Sequence, residues 1–395
     1  MSGMTERFEG SFTQQEPIPE AAVAAAMAVL QHGRLHRYNL AAGEAGETAL
    51  LEAEFRDFTG AKYALAVTSG GYALATALRA HGVVAGDPVL TNAFTLAPVP
   101  GAIASMGARP VFVETTEALT IDLDHLKEQA LASGAKVLML SHMRGHQPDM
   151  AATMTLTDSL GLTVIEDCAH TMGGSAGGVV SGRHGASACF SSQTYKHINS
   201  GEGGFLITDD AEIAAKATLL SGSYMLYERH GAGPGAEVFE AFRDVTPNVS
   251  GRMDNLRAAI LRPQLADLPA QVARWAALHD AMEEGLGTLA RLRLIERDPG
   301  LVRVGSSFQF RLPDHDGGEI ESFVQRCAAR GVELKWFGAD RAVGFTSTYR
   351  NWGYADPPVL PQTDRVMAGL LDMRLPLTFS VEDCALIARI IASEV

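Results

Sequence analysis

Apolar positions recur along the chain at two periods. An alanine-rich run over Glu20–His32 puts Ala24, Val29 and Leu30 on one side, which predicts a helix ended by Gly33. Leu51, Phe55 and Phe58 recur at helical spacing in residues 48–58, and Gly60 stops that helix. Tyr63–Val67 is a short apolar strand, Thr68-Ser69-Gly70-Gly71 a turn, and residues 72–80 a helix. The alternation continues with strands at residues 88–91, 109–113 and 136–141 and with helices at residues 97–106, from Leu123, and at 150–160. Two more apolar strands follow, one ending in Val164-Ile165-Glu166-Asp167 and one containing Ala188-Cys189-Phe190-Ser191. Strands alternating with helices over roughly 200 residues predict a doubly wound, mostly parallel sheet.

Beyond residue 210 the pattern changes. A helix at residues 211–220 leaves the sheet, and residues 222–249 form a long turn-rich segment containing Gly231-Ala232-Gly233-Pro234-Gly235. Linkers this long in a compact protein are often functional. Residues 254–265 and 270–286 are helical, with a kink expected at Pro263. From about residue 290 the order is α+β: strands within 302–312, a helix at 319–330, a strand at 332–337 and a final helix at 381–392. The expected division is an N-terminal arm with a large α/β domain over residues 1–252, then a bridging helix with a smaller α+β domain over 253–395. Residues 1–18 read as a loose arm.

Composition narrows the function classes. The 395 residues suffice for two domains and a large core. A net charge of −14 argues against a general nucleic-acid surface, which needs a basic patch. Cys168, Cys189, Cys327 and Cys384 are scattered without a CxxC pair, so reduced buried thiols are expected. The N-terminus has no apolar signal core, and no apolar run reaches the roughly 18 residues of a membrane helix. The expectation is a cytoplasmic enzyme with neither membrane nor nucleic acid as partner. His142 and His146 have no acidic or cysteine partner at ligand spacing, so no metal site is expected.

The chemistry concentrates between Val164 and Gly204. One strand ends in the carboxylate of Asp167; about thirty residues on, Lys196 follows a second strand and precedes Gly201-Glu202-Gly203-Gly204. A carboxylate and an amine at strand ends can converge at the C-terminal edge of a parallel sheet, where open α/β folds bind ligands. The pair suits pyridoxal 5'-phosphate: the amine forms a Schiff base with the aldehyde, and the carboxylate keeps the pyridine nitrogen protonated. Strand, small-residue turn and helix N-terminus at Thr68–Tyr72 make an anion site, which we assign to the phosphate through Gly70, Gly71 and Tyr72.

Glu166-Asp167-Cys168-Ala169-His170, Phe190-Ser191-Ser192, Lys196 and Gly201–Gly204 together resemble the DegT/DnrJ/EryC1/StrS sugar aminotransferases of fold type I, from about Tyr38 to the C-terminus. The resemblance implies that His170 lies against the cofactor ring or its hydroxyl oxygen and that Ser191 is a phosphate ligand. The threonine and small residue usual after the Ser-Gly of the turn are Gly71 and Tyr72 here, which removes one hydroxyl contact. The usual ring-stacking aromatic is Leu96, with Phe94 as either its substitute or a core residue. Relatives have an asparagine that reaches the neighbouring subunit's cofactor phosphate. Ser250 occupies its slot, and either Ser250 or Asn248 is expected to serve. The resemblance also implies a homodimer with active sites at the interface.

The implied activity is transfer of an amino group from an amino acid, glutamate or glutamine, to a keto sugar, nucleotide-linked keto sugar or keto cyclitol, with Lys196 as acid and base and Asp167 holding the ring charge. Three alternatives stand beside it. A sugar 3-dehydratase would carry histidine at the Lys196 position, a non-catalytic regulatory relative would have lost Lys196 or Asp167, and an aminotransferase could serve a non-sugar ketone. Arg37, Arg144, Arg229 and Arg252 are all candidates for the donor carboxylate clamp.

Overall fold

The computed structural model describes residues 6–395. Its N-terminal part is the expected alternation. Helices Glu20–His32 (α1) and Glu47–Thr59 (α2) precede strand Tyr63–Val67 (β1), helix Gly70–Ala80 (α3), strand Pro88–Asn92 (β2), helix Pro98–Ala104 (α4) and strand Arg109–Val113 (β3). Helix Leu123–Ser133 (α5), strand Val137–Ser141 (β4), helix Met150–Leu160 (α6) and strand Thr163–Asp167 (β5) continue it. The short strands Ser175–Ala176 (β6) and Val179–Val180 (β7) lead to Ser187–Ser191 (β8), Gly204–Thr208 (β9) and helix Ala211–Ser221 (α7). Asp122, Asp149 and Asp210 start α5, α6 and α7 by accepting first-turn backbone N–H groups, the standard answer to orphan donors.

The seven-stranded sheet has the order β1-β9-β8-β5-β4-β2-β3. Its strands run parallel except β9, which is antiparallel to both β1 and β8. Ser141 stands in register with Asp167, and Asp167 with Cys189. The C-terminal edge therefore gathers the turns after β1, β2, β4, β5 and β8. Because β9 is inverted, the glycine run at Gly201–Gly204 falls at the same edge.

After the four-residue helix Ala236–Phe239 (α8), helix Asn255–Leu286 (α9) runs unbroken through both Pro263 and Pro269. The expected pair of helices separated at Pro263 is thus one element. It packs against α1, α2 and the final helix, and that packing outweighs the lost backbone bonds. Strands Arg293–Leu294 (β10), Leu301–Val302 (β11) and Ser307–Arg311 (β12), helix Gly317–Ala329 (α10), strand Lys335–Trp336 (β13), helix Pro361–Ala368 (α11), strand Leu370–Arg374 (β14) and helix Val381–Glu394 (α12) complete the chain. The second sheet, β10-β12-β14-β13, is antiparallel. One face of it, with Phe308, Phe310, Leu371 and Met373, enters the same core as Phe55, Phe190, Phe205 and Trp275.

The N-terminal arm departs from expectation. Phe8 and Phe12 are buried and meet Phe379 edge-on, with centroids 4.9 and 5.0 Å from its ring. The Phe8 N–H donates to the Arg330 carbonyl at 2.9 Å, and Arg274 pairs with Glu16 at 2.7 Å. From residue 6 onward the arm is a strap across α9, the C-terminal end of α10 and the segment between β14 and α12. Two phenylalanines in a polar stretch carry no period, so only the contacts disclose it; residues 1–5 of the expected loose arm lie outside the described residues. Among the described residues no helix is long and apolar enough to cross a membrane.

Candidate active site

Lys196 lies in the loop between β8 and β9, and its Nζ is 2.8 Å from His170 Nε2. Burial is the main cause that lowers the lysine to about 7; the charges of Arg144 and Arg374 add to it, and Asp167 opposes them. Burial, followed by the charge of Lys196, also drives the His170 imidazole well below its ordinary range. A neutral His170 Nε2 can accept from the lysine amine and hold it in one orientation.

Asp167 ends β5 and is buried. Its Oδ2 accepts from Ser141 Oγ at 2.8 Å and its Oδ1 from the Ala169 N–H at 3.2 Å. Ser141 Oγ in turn accepts from Thr95 Oγ1 at 2.7 Å, and Asn92 Oδ1 accepts the Ser141 N–H at 2.9 Å. The hydroxyls of Thr95, in the turn after β2, and of Ser141, the last residue of β4, thus orient the carboxylate. Thr95, Ser141 and Asn92 carried no signal in sequence beyond their positions at strand ends.

The turn after β1 is an open helix N-terminus. Ser69 caps α3 by accepting the Tyr72 N–H at 3.1 Å. The N–H groups of Gly70 and Gly71 have no partner among the described residues. A Cβ on Gly204 would lie 2.5 Å from the Ser69 carbonyl, and one on Gly70 would lie 2.9 Å from Ser191 Cβ. The two glycines therefore let α3 close onto β9 and β8, and Ser191 borders the free N–H groups. Tyr72 differs from the other turn residues. Its N–H is spent on Ser69, and its hydroxyl donates to the Leu220 carbonyl at 3.0 Å.

Phe94 is a core aromatic, packed edge-on against Phe337 at 5.4 Å. Leu96 is half-buried and borders the same cluster. Asn248 and Ser250 are exposed, and Asn248 Oδ1 accepts both the Ser250 N–H and its hydroxyl at 2.9 and 3.2 Å.

The four candidate arginines are all engaged. Arg37 makes a buried bidentate pair with Glu52 at 2.8 and 3.0 Å, and Glu52, despite burial, is brought down to about 2 by that guanidinium. Arg229 donates to the Tyr38 carbonyl, Arg252 to the Gly222 carbonyl, and Arg144 to Asp372 Oδ2 at 2.7 Å. Of these, Arg144 is the one whose charge acts on Lys196. Sequence reasoning missed Arg374, whose guanidinium lies over the Tyr195 ring at 3.7 Å, beside Lys196 in the chain.

His142, Glu166 and Cys168 also meet, with potential ligand atoms within 4.8 Å. Glu166 already accepts from His142 Nε2 and from the N–H groups of Gly182, His184 and Gly185. Glu166 is thus fully occupied within the protein, while His142 Nδ1 is buried without a hydrogen-bond partner. A concavity of about 690 Å³ around Arg262, Glu47 and Glu54 has its charges paired and holds none of the site residues; Lys196 lines a smaller one of about 70 Å³ with His197, Trp275 and Gln15–Pro19 of the arm.

The model of the DegT/DnrJ/EryC1/StrS aminotransferase family matches residues 19–392. The chain is 32% identical over 283 residues to the pleiotropic regulatory protein of Geobacillus stearothermophilus, covering 70% of this chain and 71% of that one. It is 32% identical over 262 residues to the L-glutamine:scyllo-inosose aminotransferase of Streptomyces griseus, covering 66% and 61%. The solved 3-amino-5-hydroxybenzoic acid synthase superposes with a TM-score of 0.83 at 24% identity, covering 99% of both chains, which shows the fold type I arrangement.

Proposed function

The chain belongs to the DegT/DnrJ/EryC1/StrS aminotransferase family, and from that premise we propose that it uses pyridoxal 5'-phosphate to move an amino group from glutamate or glutamine to a keto sugar, a nucleotide-linked keto sugar or a keto cyclitol. The observation that carries this reading is the convergence of a buried, depressed lysine amine, a buried oriented carboxylate and an open helix N-terminus at one sheet edge.

These residues fit the cofactor. The free N–H groups of Gly70 and Gly71, with the Ser191 hydroxyl, suit a phosphate. Asp167 suits a pyridinium nitrogen, and Leu96 offers the apolar contact to the ring, since Phe94 is spent in the core. When bound, the group supplies an electron sink for the substrate's α-carbon. Lys196 does the proton transfer. Its amine, neutral from about pH 7 upward, is placed to take the substrate's α-proton and would deliver it to the carbon that had been the cofactor's aldehyde. His170 keeps that amine aimed, and the Thr95–Ser141 relay keeps Asp167 aimed.

We place this chemistry between units at residues 1–252 and 253–395 of a cytoplasmic homodimer. Asn248 and Ser250, exposed on the monomer beside Tyr224, Met225 and Val249, would reach the partner's site. Sedimentation at the mass of one 42.0 kDa chain in active enzyme would remove that shared contact.

The test is the visible spectrum of the purified protein with L-glutamate, L-glutamine or L-alanine. Expected are a cofactor band that one donor bleaches and a keto acid restores, and no bleaching by donor in Lys196→Ala. A protein that stays colourless after incubation with pyridoxal phosphate overturns the reading. The regulatory name of the Geobacillus relative supports a second reading, a cofactor-binding regulator. A yellow protein inert to every donor would favour it.

A further inference from the structure

Two cations of the second sheet, Lys335 and Arg374, make no ion pair among the described residues. β12 and β14 alternate: Phe308, Phe310, Leu371 and Met373 enter the core, and the other face is polar yet largely buried. Register puts Ser307 opposite Arg374, Gln309 opposite Asp372, and Lys335 of β13 also opposite Asp372. Side chains directly opposite across a sheet share a face, so these residues form one polar layer.

Buried polar groups need partners, and most of this layer has them. Asp372 takes Arg144 on one oxygen and Gln309 Nε2 on the other, both at 2.7 Å. Arg311 meets Glu117 at 3.3 Å. Lys335 Nζ is buried without a hydrogen-bond partner. Arg374 pairs with no carboxylate among the described residues and rests on the Tyr195 ring. The Phe345 ring lies 5.2 Å from Lys335 Nζ and 5.1 Å from the Arg374 guanidinium, so the two cations flank one ring. Burial is the main cause that lowers the pKa of both, and the charge of Asp372 opposes it without making an ion pair. An anion taking the place of that ring between them recovers part of the desolvation cost.

Resting on the aminotransferase reading, we propose that Arg374 and Lys335 are the carboxylate receptors for the amino donor. Arg374 takes the α-carboxylate and Lys335 a second carboxylate on the donor side chain, so the site prefers a dicarboxylic amino acid to its amide. The assignment follows from position. The carbon that Lys196 deprotonates bears the α-carboxylate, so its receptor must border Lys196. Arg374 does so through Tyr195, and its charge acts on both Lys196 and His170. A planar guanidinium suits a bidentate carboxylate, and a lysine suits a second, looser charge.

The experiment titrates the holoenzyme with glutarate and butyrate, which carry two carboxylates and one but no amine, by calorimetry. It then repeats the donor half-reaction with L-glutamate and L-glutamine. Glutarate is expected to bind at least about tenfold more tightly than butyrate. Arg374→Gln weakens both by about 10- to 100-fold, the range for a lost charge-assisted pair. Lys335→Gln brings glutarate to the butyrate level and removes the preference for L-glutamate. Lys335→Arg retains the preference, which separates lost charge from lost folding. Equal binding of the two probes by the wild type, or unaltered binding in the variants while an amino acid still bleaches the band, overturns the proposal. If no amino acid bleaches the band but glutarate binding still depends on Arg374, the anion site stands and the aminotransferase reading falls.

Discussion

At the scale of single residues, the site is tuned by burial more than by any one contact. Lys196 carries an ordinary lysine chain, yet its surroundings hold its pKa at about 7. The sign follows from which form burial disfavours. The charged ammonium is penalised, so the neutral nucleophile predominates from about pH 7 upward instead of above the usual value of about 10.4. Labelling of Lys196 in the apo-protein by trinitrobenzenesulfonate should rise through about pH 7 and level off near pH 8, read by peptide mapping. A rate still climbing at pH 9 would refute the depressed value. Arg374→Gln should move the inflection upward, because it removes one of the charges that depress it. Lys196 and Asp167 were legible in sequence because reactive side chains stand out against apolar strands. Arg374 was not: one arginine at the end of a five-residue strand looks like any solvated cation until Tyr195 is seen beneath it.

At the scale of elements, backbone approach decides the site. α3 can present free N–H groups only because Gly204 lets it sit against β9. Gly204→Ala would put a Cβ 2.5 Å from the Ser69 carbonyl and 2.6 Å from the Gly70 nitrogen, so the turn must shift. We expect a cost of about 1–3 kcal/mol in urea unfolding and at least about tenfold weaker binding of pyridoxal phosphate, read by absorbance titration. Unaltered cofactor affinity would exclude the α3 turn as the phosphate site. Most elements were legible because their periods are strong: α1, β1, β3 and α6 fall where the pattern put them. β14 was missed. Its alternation, Leu371 and Met373 inward and Asp372 and Arg374 outward, spans five residues and carries charge on the buried polar side. α9 was divided in sequence because proline predicts a break, and packing against α1, α2 and α12 overrode it.

At the scale of the whole molecule, the strap from Phe8 to Pro19 ties the segment between β14 and α12 to α9 and lines the space beside Lys196. Phe12→Ala opens a cavity against Phe8 and Phe379 and should cost about 3–5 kcal/mol, measured as a lowered urea midpoint at unchanged slope. A variant as stable as the wild type would mean that the arm contributes nothing to the fold. The same view reassigns Arg37 from ligand binding to architecture: its bidentate pair with Glu52 joins the segment before α2 to that helix, out of reach of solvent.

The sequence by itself determined the alternation of strands and helices, the helix caps, and the carboxylate, amine and glycine turn, because periodicity and chemically distinct residues are local properties. Tertiary structure alone decided which charges remain unanswered. Arg37, Arg144, Arg229 and Arg252 are each engaged by a group at least 15 residues away in the chain, and Arg374 and Lys335 are left without an ion pair among the described residues. Pairing of charges depends on which distant strands meet and in what register, and no local pattern encodes that.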